Sequence, residues 1–189
     1  MSELNKAVFL DRDGVINVER AYIRKVEDFE LYPFTAEAIK RINQSGYKAI
    51  VITNQAMIAR RMGTYEELEA IHNKLKNELS KISAYVDAIY FCPHHPDKTL
   101  PNTIPELNIN CECRKPKPGM FFQAAKEHNI SLSESYMIGD TERDLISGNK
   151  AGCKTIGVKT GHALKGATYT GDYVCENIEK AVDYILSQK

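Results

Sequence analysis

The chain has 189 residues, of which 43% are hydrophobic and 26% charged, and its 25 basic and 25 acidic side chains give a formal net charge of zero. This length and composition predict one soluble globular domain. A nucleic-acid-binding protein would carry excess positive charge, and a membrane span would need about 20 consecutive apolar residues, so neither class is indicated. The N-terminal stretch MSELNK lacks the apolar core of a signal peptide, and we therefore expect a cytoplasmic protein.

Apolar runs typical of buried strands alternate with helical segments along the chain. The predicted strands are residues 7–10, 47–53, 87–92, 135–140 and 154–159. The predicted helices are residues 34–45, 65–81, 119–128, 141–151 and 177–187. Because both alternating sets of strand residues are apolar, the strands are typical of a parallel sheet covered on both faces. The pattern predicts a three-layer, doubly wound, mainly parallel α/β fold in one domain, residues 1–189.

Two long loops interrupt this alternation. The first runs from Arg12 to about Leu31, and the second covers residues 93–118, which are rich in proline. Loops of this length in a compact domain are usually functional or disordered. Both loops are therefore candidate functional segments.

Two carboxylates follow the first predicted strand. Asp11 comes directly after Leu10, and Asp13 lies in a turn that Gly14 allows. Ligands of open α/β sheets bind at the carboxyl ends of the strands. Two acids so close repel each other unless a cation or a proton lies between them, and Mg²⁺ prefers such oxygen ligands. On its own, however, D-x-D-G is a common tetrapeptide and is more typical of a polar loop or a helix N-cap than of a metal site.

Three further motifs fall at the same predicted edge of the sheet. VITNQ contributes a hydroxyl and an amide, RKPKPG two cations, and IGDTERD two acids. These residues are Thr53, Asn54, Arg114, Lys115, Asp140 and Asp144. Together with Asp11 they supply a nucleophile, an anion binder, a fixed cation and a metal carboxylate. The set suits phosphoryl transfer, in which charge on the equatorial phosphate oxygens must be stabilised.

A second group of candidate ligands lies in the proline-rich loop, within the motifs CPHH and CEC. The candidates are Cys92, His94 or His95, Cys111 and Cys113. Three thiolates and one imidazole match a closed, structural Zn²⁺ site. Bound metal would supply folding free energy to a loop with few apolar residues and would hold in place the two cations that follow it. The alternative is a set of unrelated buried cysteines and surface histidines.

The motifs FLDRDGVIN, TNQ, CPHH…CECRKPKPGM and IGD together resemble the haloacid dehalogenase superfamily of phosphohydrolases, in its histidinol-phosphatase-like branch, over essentially the whole chain. The resemblance implies a Rossmann-like fold without a large cap domain. It implies a Mg²⁺-dependent phosphomonoesterase that acts on a phosphorylated heptose in surface-polysaccharide precursor synthesis, with histidinol phosphate as the alternative substrate. A catalytically inactive, zinc-stabilised binding protein is a third hypothesis, and the intact acidic and basic motifs argue against it.

The resemblance also assigns roles to individual residues. Asp11 becomes the nucleophile that forms an aspartyl-phosphate, and Asp13 protonates the leaving oxygen and later activates water. Mg²⁺ is held by Asp11, Asp140 and the main-chain carbonyl of Asp13. His94 becomes the fourth zinc ligand. The substrate and its phosphate are bound by Thr53, Asn54, Arg114 and Lys115.

The same resemblance places the sugar-contacting stretch at Glu19 to Tyr22. Further candidates for the site are Arg20, Gln55, Ala56, Arg60, Thr141 and Asp144. The chain departs from the family in two places, since TNQAMIARRMG stands where TNQSGIARG is frequent and Thr141 where many members have lysine. These departures leave the phosphatase motifs intact and bear on which substrate and anomer are bound. We also predict a monomer, with His72 on the surface of its helix.

Overall fold

The computed structural model describes residues 4–188, and its six parallel strands form one sheet in the order β3-β2-β1-β4-β5-β6. The strands are β1 (Lys6–Leu10), β2 (Tyr47–Asn54), β3 (Ala88–Cys92), β4 (Tyr136–Gly139), β5 (Lys154–Val158) and β6 (Tyr173–Cys175). The chain moves to one side of β1 with β2 and β3 and to the other side with β4, so the strand order switches direction beside β1. Such a switch point opens a crevice at the carboxyl ends of the strands. Residues 1–3 of MSELNK and residue 189 lie outside the described residues.

Within residues 4–188, four α-helices connect strands and a fifth follows β6, and each begins and ends within one residue of its predicted bounds. They are α1 (Thr35–Gln44), α2 (Tyr65–Ser80), α3 (Gly119–His128), α4 (Glu142–Ala151) and α5 (Ile178–Ser187). The start of α2 shows the local cause. The Thr64 hydroxyl accepts a hydrogen bond from the Glu67 amide at 3.2 Å, and the Glu67 carboxylate accepts one from the Thr64 amide at 2.8 Å. This capping box satisfies two backbone donors that the helix cannot.

The two faces of the sheet are both buried, which explains why the strands are continuously apolar. Val8 and Leu10 belong to a core cluster that includes residues of α1, α2 and α5. Their neighbours Ala7 and Phe9 belong to a second cluster with α3, in which the rings of Phe9 and Phe121 lie 4.8 Å apart. The three-layer α/β prediction is therefore confirmed. No helix within residues 4–188 is long and apolar enough to cross a membrane.

The sequence pattern missed one strand. Five were predicted, whereas the sheet has a sixth, β6, whose residues pair with Ile156 to Val158 of β5 at the edge of the sheet. The strand is only three residues long, and their exposure ranges from exposed to buried. Three residues are too few for a hydrophobic period to be recognised.

Candidate active site

A polar cleft of about 290 Å³ opens at the carboxyl ends of β1, β2 and β4. Twelve of the predicted site residues line it: Asp11, Asp13, Glu19, Tyr22, Thr53, Asn54, Ala56, Arg114, Lys115, Asp140, Thr141 and Asp144. Residues from distant parts of the sequence thus converge where the strand order switches direction. The structure does not bring Arg20 or Arg60 into the wall, because Arg20 pairs with Glu30 at 2.8 Å and Arg60 donates to the Tyr22 hydroxyl at 2.7 Å.

Glycines allow two loops to approach Asp140, the residue that follows β4. A Cβ atom added to Gly14 or to Gly161 would stand 2.3 Å from Asp140 Oδ2, and both glycines have a positive φ, +85° and +58°. Neither the space nor the backbone conformation accommodates an ordinary side chain. The backbone of the loop after β1 and of the loop after β5 therefore forms two walls around this carboxylate.

Lys115 is the buried cation of the cleft, with only 2% of its surface exposed. Its Nζ lies 2.8 Å from Asp11 Oδ1 and 2.7 Å from Asp144 Oδ1, and it donates to the Ile52 carbonyl at 2.9 Å. Burial alone would lower the pKa of Lys115, but attraction to Asp11 and Asp144 raises it above its ordinary value. Lys115 is therefore a fixed positive charge between two carboxylates.

The acids of the cleft repel one another. Burial and the charge of Asp144 raise the pKa of Asp11 to about 8, even though Lys115 acts in the opposite direction. Burial and Asp144 also raise the pKa of Asp140 to about 6. Each of the three offers a carboxylate oxygen, and these oxygens lie within 4.8 Å of one another. A cation among them would remove this repulsion.

Asp140 shows that the residues present fit a divalent metal. Its Oδ2 accepts a hydrogen bond from the His162 amide at 2.7 Å, whereas its Oδ1 is buried and has no hydrogen-bond partner among residues 4–188. A buried carboxylate oxygen without a partner is costly. Beside two further carboxylates, it is the donor set that Mg²⁺ prefers.

Asp13 is held by a dense set of donors. Arg12 Nη2 contacts its two carboxylate oxygens at 2.9 and 2.8 Å, and the side-chain amides of Asn17 and Gln55 donate at 3.0 and 2.9 Å. Burial would raise the pKa of Asp13, but the Arg12 guanidinium and these hydrogen bonds lower it below its ordinary value. Asp13 is therefore oriented, and its surroundings favour the ionised form, which accepts a proton.

The TNQ motif, Thr53 to Gln55, makes hydrogen bonds that hold the end of β2 in place at the cleft. The Asn54 amide donates to the Lys115 carbonyl and accepts from the Lys115 amide, both at 3.1 Å. This reciprocal pair joins the end of β2 to the segment that carries Lys115. The Gln55 amide donates to the Thr53 hydroxyl oxygen at 3.0 Å, which leaves the Thr53 proton free to donate towards the cleft.

The three predicted cysteines and one histidine form a compact cluster beside the cleft. Cys92 Sγ lies 3.5 Å from Cys111 Sγ and 3.6 Å from His94 Nδ1. Cys113 Sγ lies 3.2 Å from Cys111 Sγ and 3.3 Å from His94 Nδ1. A tetrahedral zinc site with bonds of about 2.3 Å has edges of about 3.8 Å, so the cluster needs little adjustment to hold a metal ion.

Other contacts distinguish the two histidines and connect the cluster to the cleft. His95 Nδ1 accepts a hydrogen bond from the Asp97 amide at 3.2 Å, so the side chain that faces the thiols is that of His94. Hydrogen bonding from Cys92 lowers the pKa of the Cys113 thiol to about 5, which favours the thiolate that binds metals. Arg114 Nη1 donates to the His94 carbonyl at 2.9 Å, so the same loop shapes both sites.

Sequence reasoning missed or misplaced three residues near the cleft. The prediction of a surface His72 is wrong, because this side chain is only 7% exposed and lies against Arg12. Arg143 and His162 line the cleft, although neither was among the predicted site residues. The signal for Arg143 was its position within IGDTERD, directly before Asp144.

The burial of His72 predicts a pH-dependent stability. Burial and the charge of Arg12 lower the pKa of His72 to about 3, with Lys76 acting in the same direction and Asp13 against it. The unfolded chain takes up this proton near pH 6.5 and the folded chain does not, so the free energy of unfolding should fall as the pH drops below 6.5. Between pH 7 and 4.5 we expect the free energy of unfolding of the wild type, measured in urea, to fall by about 2 kcal/mol more than that of His72→Gln. Parallel pH profiles of the two proteins would contradict this expectation.

The fold and the cleft together define a class of protein, the haloacid dehalogenase-like hydrolases, and a family model described as HAD-hydrolase-like matches residues 112–181. A D-glycero-beta-D-manno-heptose-1,7-bisphosphate 7-phosphatase of Helicobacter pylori is 40% identical over 98% of this chain and 99% of its own length. The corresponding alpha-heptose enzyme of Photorhabdus laumondii is 41% identical over 86% of this chain and 87% of its own. The chain belongs to this family of heptose-bisphosphate phosphatases.

A solved structure extends the likeness to the fold. The crystal structure of D,D-heptose 1.7-bisphosphate phosphatase from B. bronchiseptica, complexed with magnesium and phosphate, superposes with a TM-score of 0.86 at 33% identity. The match covers 97% of this chain and 99% of that one. A protein of the same fold thus binds magnesium and phosphate, and the acidic and basic residues of this cleft are suited to the same two ions.

Proposed function

We propose that this protein is a Mg²⁺-dependent phosphomonoesterase that removes the 7-phosphate of a D-glycero-D-manno-heptose 1,7-bisphosphate during synthesis of activated heptose for surface polysaccharides. The observation that carries the proposal is the position of Lys115 between Asp11 and Asp144, beside the unpaired oxygen of Asp140. This arrangement suits a phosphoryl group and a divalent cation at one place. The relatives supply the identity of the sugar.

In the proposed reaction Asp11 attacks phosphorus, and the bond between phosphorus and the sugar oxygen breaks as the aspartyl-phosphate forms. Protonated Asp13 gives its proton to the leaving oxygen. Ionised Asp13 then takes a proton from the water that attacks phosphorus, and Asp11 and inorganic phosphate are released. Lys115 and the Thr53 hydroxyl bind the phosphate oxygens throughout. The hydrogen bonds around Asp13 favour the ionised form that the second step uses.

Two metals complete the proposal. Mg²⁺ would be held by Asp11, Asp140 and the main-chain carbonyl of Asp13, with Asp144 orienting the site, and would neutralise charge between carboxylates and phosphate. One structural Zn²⁺ would be held by Cys92, His94, Cys111 and Cys113. The single domain over residues 1–189, the monomeric state and the cytoplasmic location stay predictions.

A substrate panel with detection of free phosphate tests the proposed function. We expect the purified protein with Mg²⁺ to hydrolyse an anomer of heptose 1,7-bisphosphate at least about 100-fold more efficiently than histidinol phosphate, and EDTA to abolish turnover. Preference for histidinol phosphate would contradict the heptose assignment. Absence of phosphate release from every ester in the panel would favour the inactive binding protein.

We predict that Arg143 helps the cleft to select a substrate that carries two phosphates. This exposed side chain lines the cleft and has no ion-pair partner among residues 4–188, whereas Lys115 and Arg114 are engaged by the protein. A second phosphate would give it a partner, so Arg143→Gln should raise KM for the bisphosphate about tenfold with little change in kcat. The KM for p-nitrophenyl phosphate should change less than about twofold. Lys150→Gln, exposed on α4 outside the cleft, is the control, and an unaltered bisphosphate KM in Arg143→Gln would contradict the prediction.

A further inference from the structure

A buried chain of polar side chains runs from the cleft to helix α2. Arg12 is fully buried, and its Nη2 contacts both carboxylate oxygens of Asp13, at 2.8 and 2.9 Å. Its Nε lies 3.1 Å from Asp13 Oδ1. On the other side, Arg12 Nη1 lies 3.3 Å from His72 Nε2. The Arg12 guanidinium therefore joins Asp13 to His72, which lies 60 positions after Arg12 in the sequence.

The chemistry of the two partners fixes the direction of this contact. Arginine has donors and no acceptor, so Nε2 of His72 must be the acceptor, and the imidazole is neutral with its proton on Nδ1. The lowered pKa of His72, about 3, agrees with a neutral ring. A planar guanidinium that donates along one edge to a carboxylate and from its remaining nitrogen to an imidazole cannot rotate without breaking one of these contacts.

His72 does not itself reach the reacting groups. It is absent from the wall of the cleft and instead lines a groove between α2 and β3, where its ring lies 5.9 Å from that of Phe91. Any effect on the reaction must therefore pass through Arg12. A side chain needed only for packing, in contrast, would be replaced adequately by another aromatic ring.

We propose that His72 is a positioning residue for the phosphatase reaction, because by accepting a hydrogen bond from Arg12 it fixes the guanidinium that orients the Asp13 carboxylate. This inference rests on the proposed function, in which Asp13 gives a proton to the leaving oxygen. Loss of the acceptor leaves a donor of Arg12 unpaired in the core and frees the guanidinium to turn. The position of Asp13, and not the binding of substrate, is then disturbed.

Substrates with different leaving groups distinguish a role of His72 in positioning Asp13 from a role in folding alone. A sugar alkoxide is a poor leaving group and needs the proton from Asp13, whereas p-nitrophenolate leaves without one. General acid catalysis contributes typically 10²–10⁴-fold, so partial loss of positioning should slow the sugar phosphate strongly and the aryl phosphate weakly. A distorted or partly unfolded protein would lose both activities in proportion.

The test compares His72→Phe, which keeps a ring and removes the acceptor, with His72→Gln, which keeps an acceptor. With saturating Mg²⁺ at pH 7, we expect His72→Phe to lower kcat for the heptose bisphosphate about 10- to 100-fold and kcat for p-nitrophenyl phosphate less than about threefold, with KM unchanged. His72→Gln should restore the sugar phosphate to within about fivefold of the wild type. Asn73→Ala, exposed on the same helix, is the control. His72→Leu provides the same comparison should the phenylalanine variant not fold.

Equal losses on both substrates, no loss at all, or failure of glutamine to restore the sugar phosphate would each overturn the inference. A wild type that prefers another alkyl phosphate would refute the proposed heptose substrate. The alkyl and aryl comparison is then made with that ester, so failure of the proposed function and failure of the inference are distinguishable.

Discussion

Asp11→Asn should lower Mg²⁺-dependent phosphate release by about 10³-fold or more while the protein stays folded. The amide that replaces the carboxylate is a poor nucleophile and a poor metal ligand, so both roles proposed for Asp11 are lost at once. Activity is measured as phosphate release from the preferred substrate, and folding is measured by circular dichroism. Asp183→Asn provides the matched control, because Asp183 lies on α5 and pairs with Arg41 far from the cleft residues.

The stability of the same variant carries a second expectation. Because burial and Asp144 raise the pKa of Asp11 to about 8, above its ordinary value of 3.8, the folded state disfavours its negative charge at neutral pH. The ionised form therefore opposes folding as the pH rises above 3.8, and a neutral asparagine removes this cost. Without Mg²⁺, Asp11→Asn should melt at the same temperature as the wild type or above it. Unaltered turnover in the variant would rule out Asp11 as the nucleophile.

Cys111→Ser should remove bound zinc and destabilise the protein by several kcal/mol, which corresponds to a melting temperature lower by about 10 °C. Serine replaces a thiolate with a weak ligand, and the loop that the cluster closes has few apolar side chains to hold it. We also expect kcat/KM to fall, since Arg114 is anchored on the His94 carbonyl and Lys115 follows directly. Zinc content by elemental analysis, thermal unfolding and phosphatase assays measure the three effects.

Cys175→Ser is the matched control for this experiment. Cys175 is buried, lies outside the cluster and donates to the Asn177 carbonyl, which a serine hydroxyl also does. It should retain about one zinc ion per chain. Zinc-free wild-type protein, or a Cys111→Ser variant with full zinc content and stability, would contradict the proposed structural site.

The strands and helices were largely predictable because their signals are local. A capping box marks the start of α2, and strands buried on both faces give continuous apolar runs. The convergence of Asp11, Asn54 and Asp140 followed from topology, because parallel strands deliver their carboxyl ends to one edge. The cluster of three cysteines and one histidine was predictable for a different reason, since few functions other than metal binding need these residues in two short motifs.

What the sequence did not reveal depends on contacts between distant segments. His72 belongs to the buried stripe of α2, at helical spacing from Leu68 and Leu75, and this spacing was the available signal for its burial. Nothing local indicates its partner, however, because the contact with Arg12 spans 60 residues. In sequence, Arg143 resembles any solvated helix residue. Its position in the wall of the cleft, which only the structure shows, is what suggests that its charge binds substrate.

The residues proposed for phosphoryl transfer and those predicted to contact the sugar lie on different kinds of backbone. The proposed nucleophile and metal ligands extend from strand ends that the core holds rigid, whereas Glu19 and Tyr22 lie on the loop after β1, at positions outside the main core cluster. Since the sugar is predicted to contact Glu19 and Tyr22, we expect replacement of a few loop residues to change sugar preference and leave the phosphoryl-transfer residues intact. Relatives named for opposite anomers are 40% and 41% identical to this chain, so overall identity does not indicate which anomer it binds.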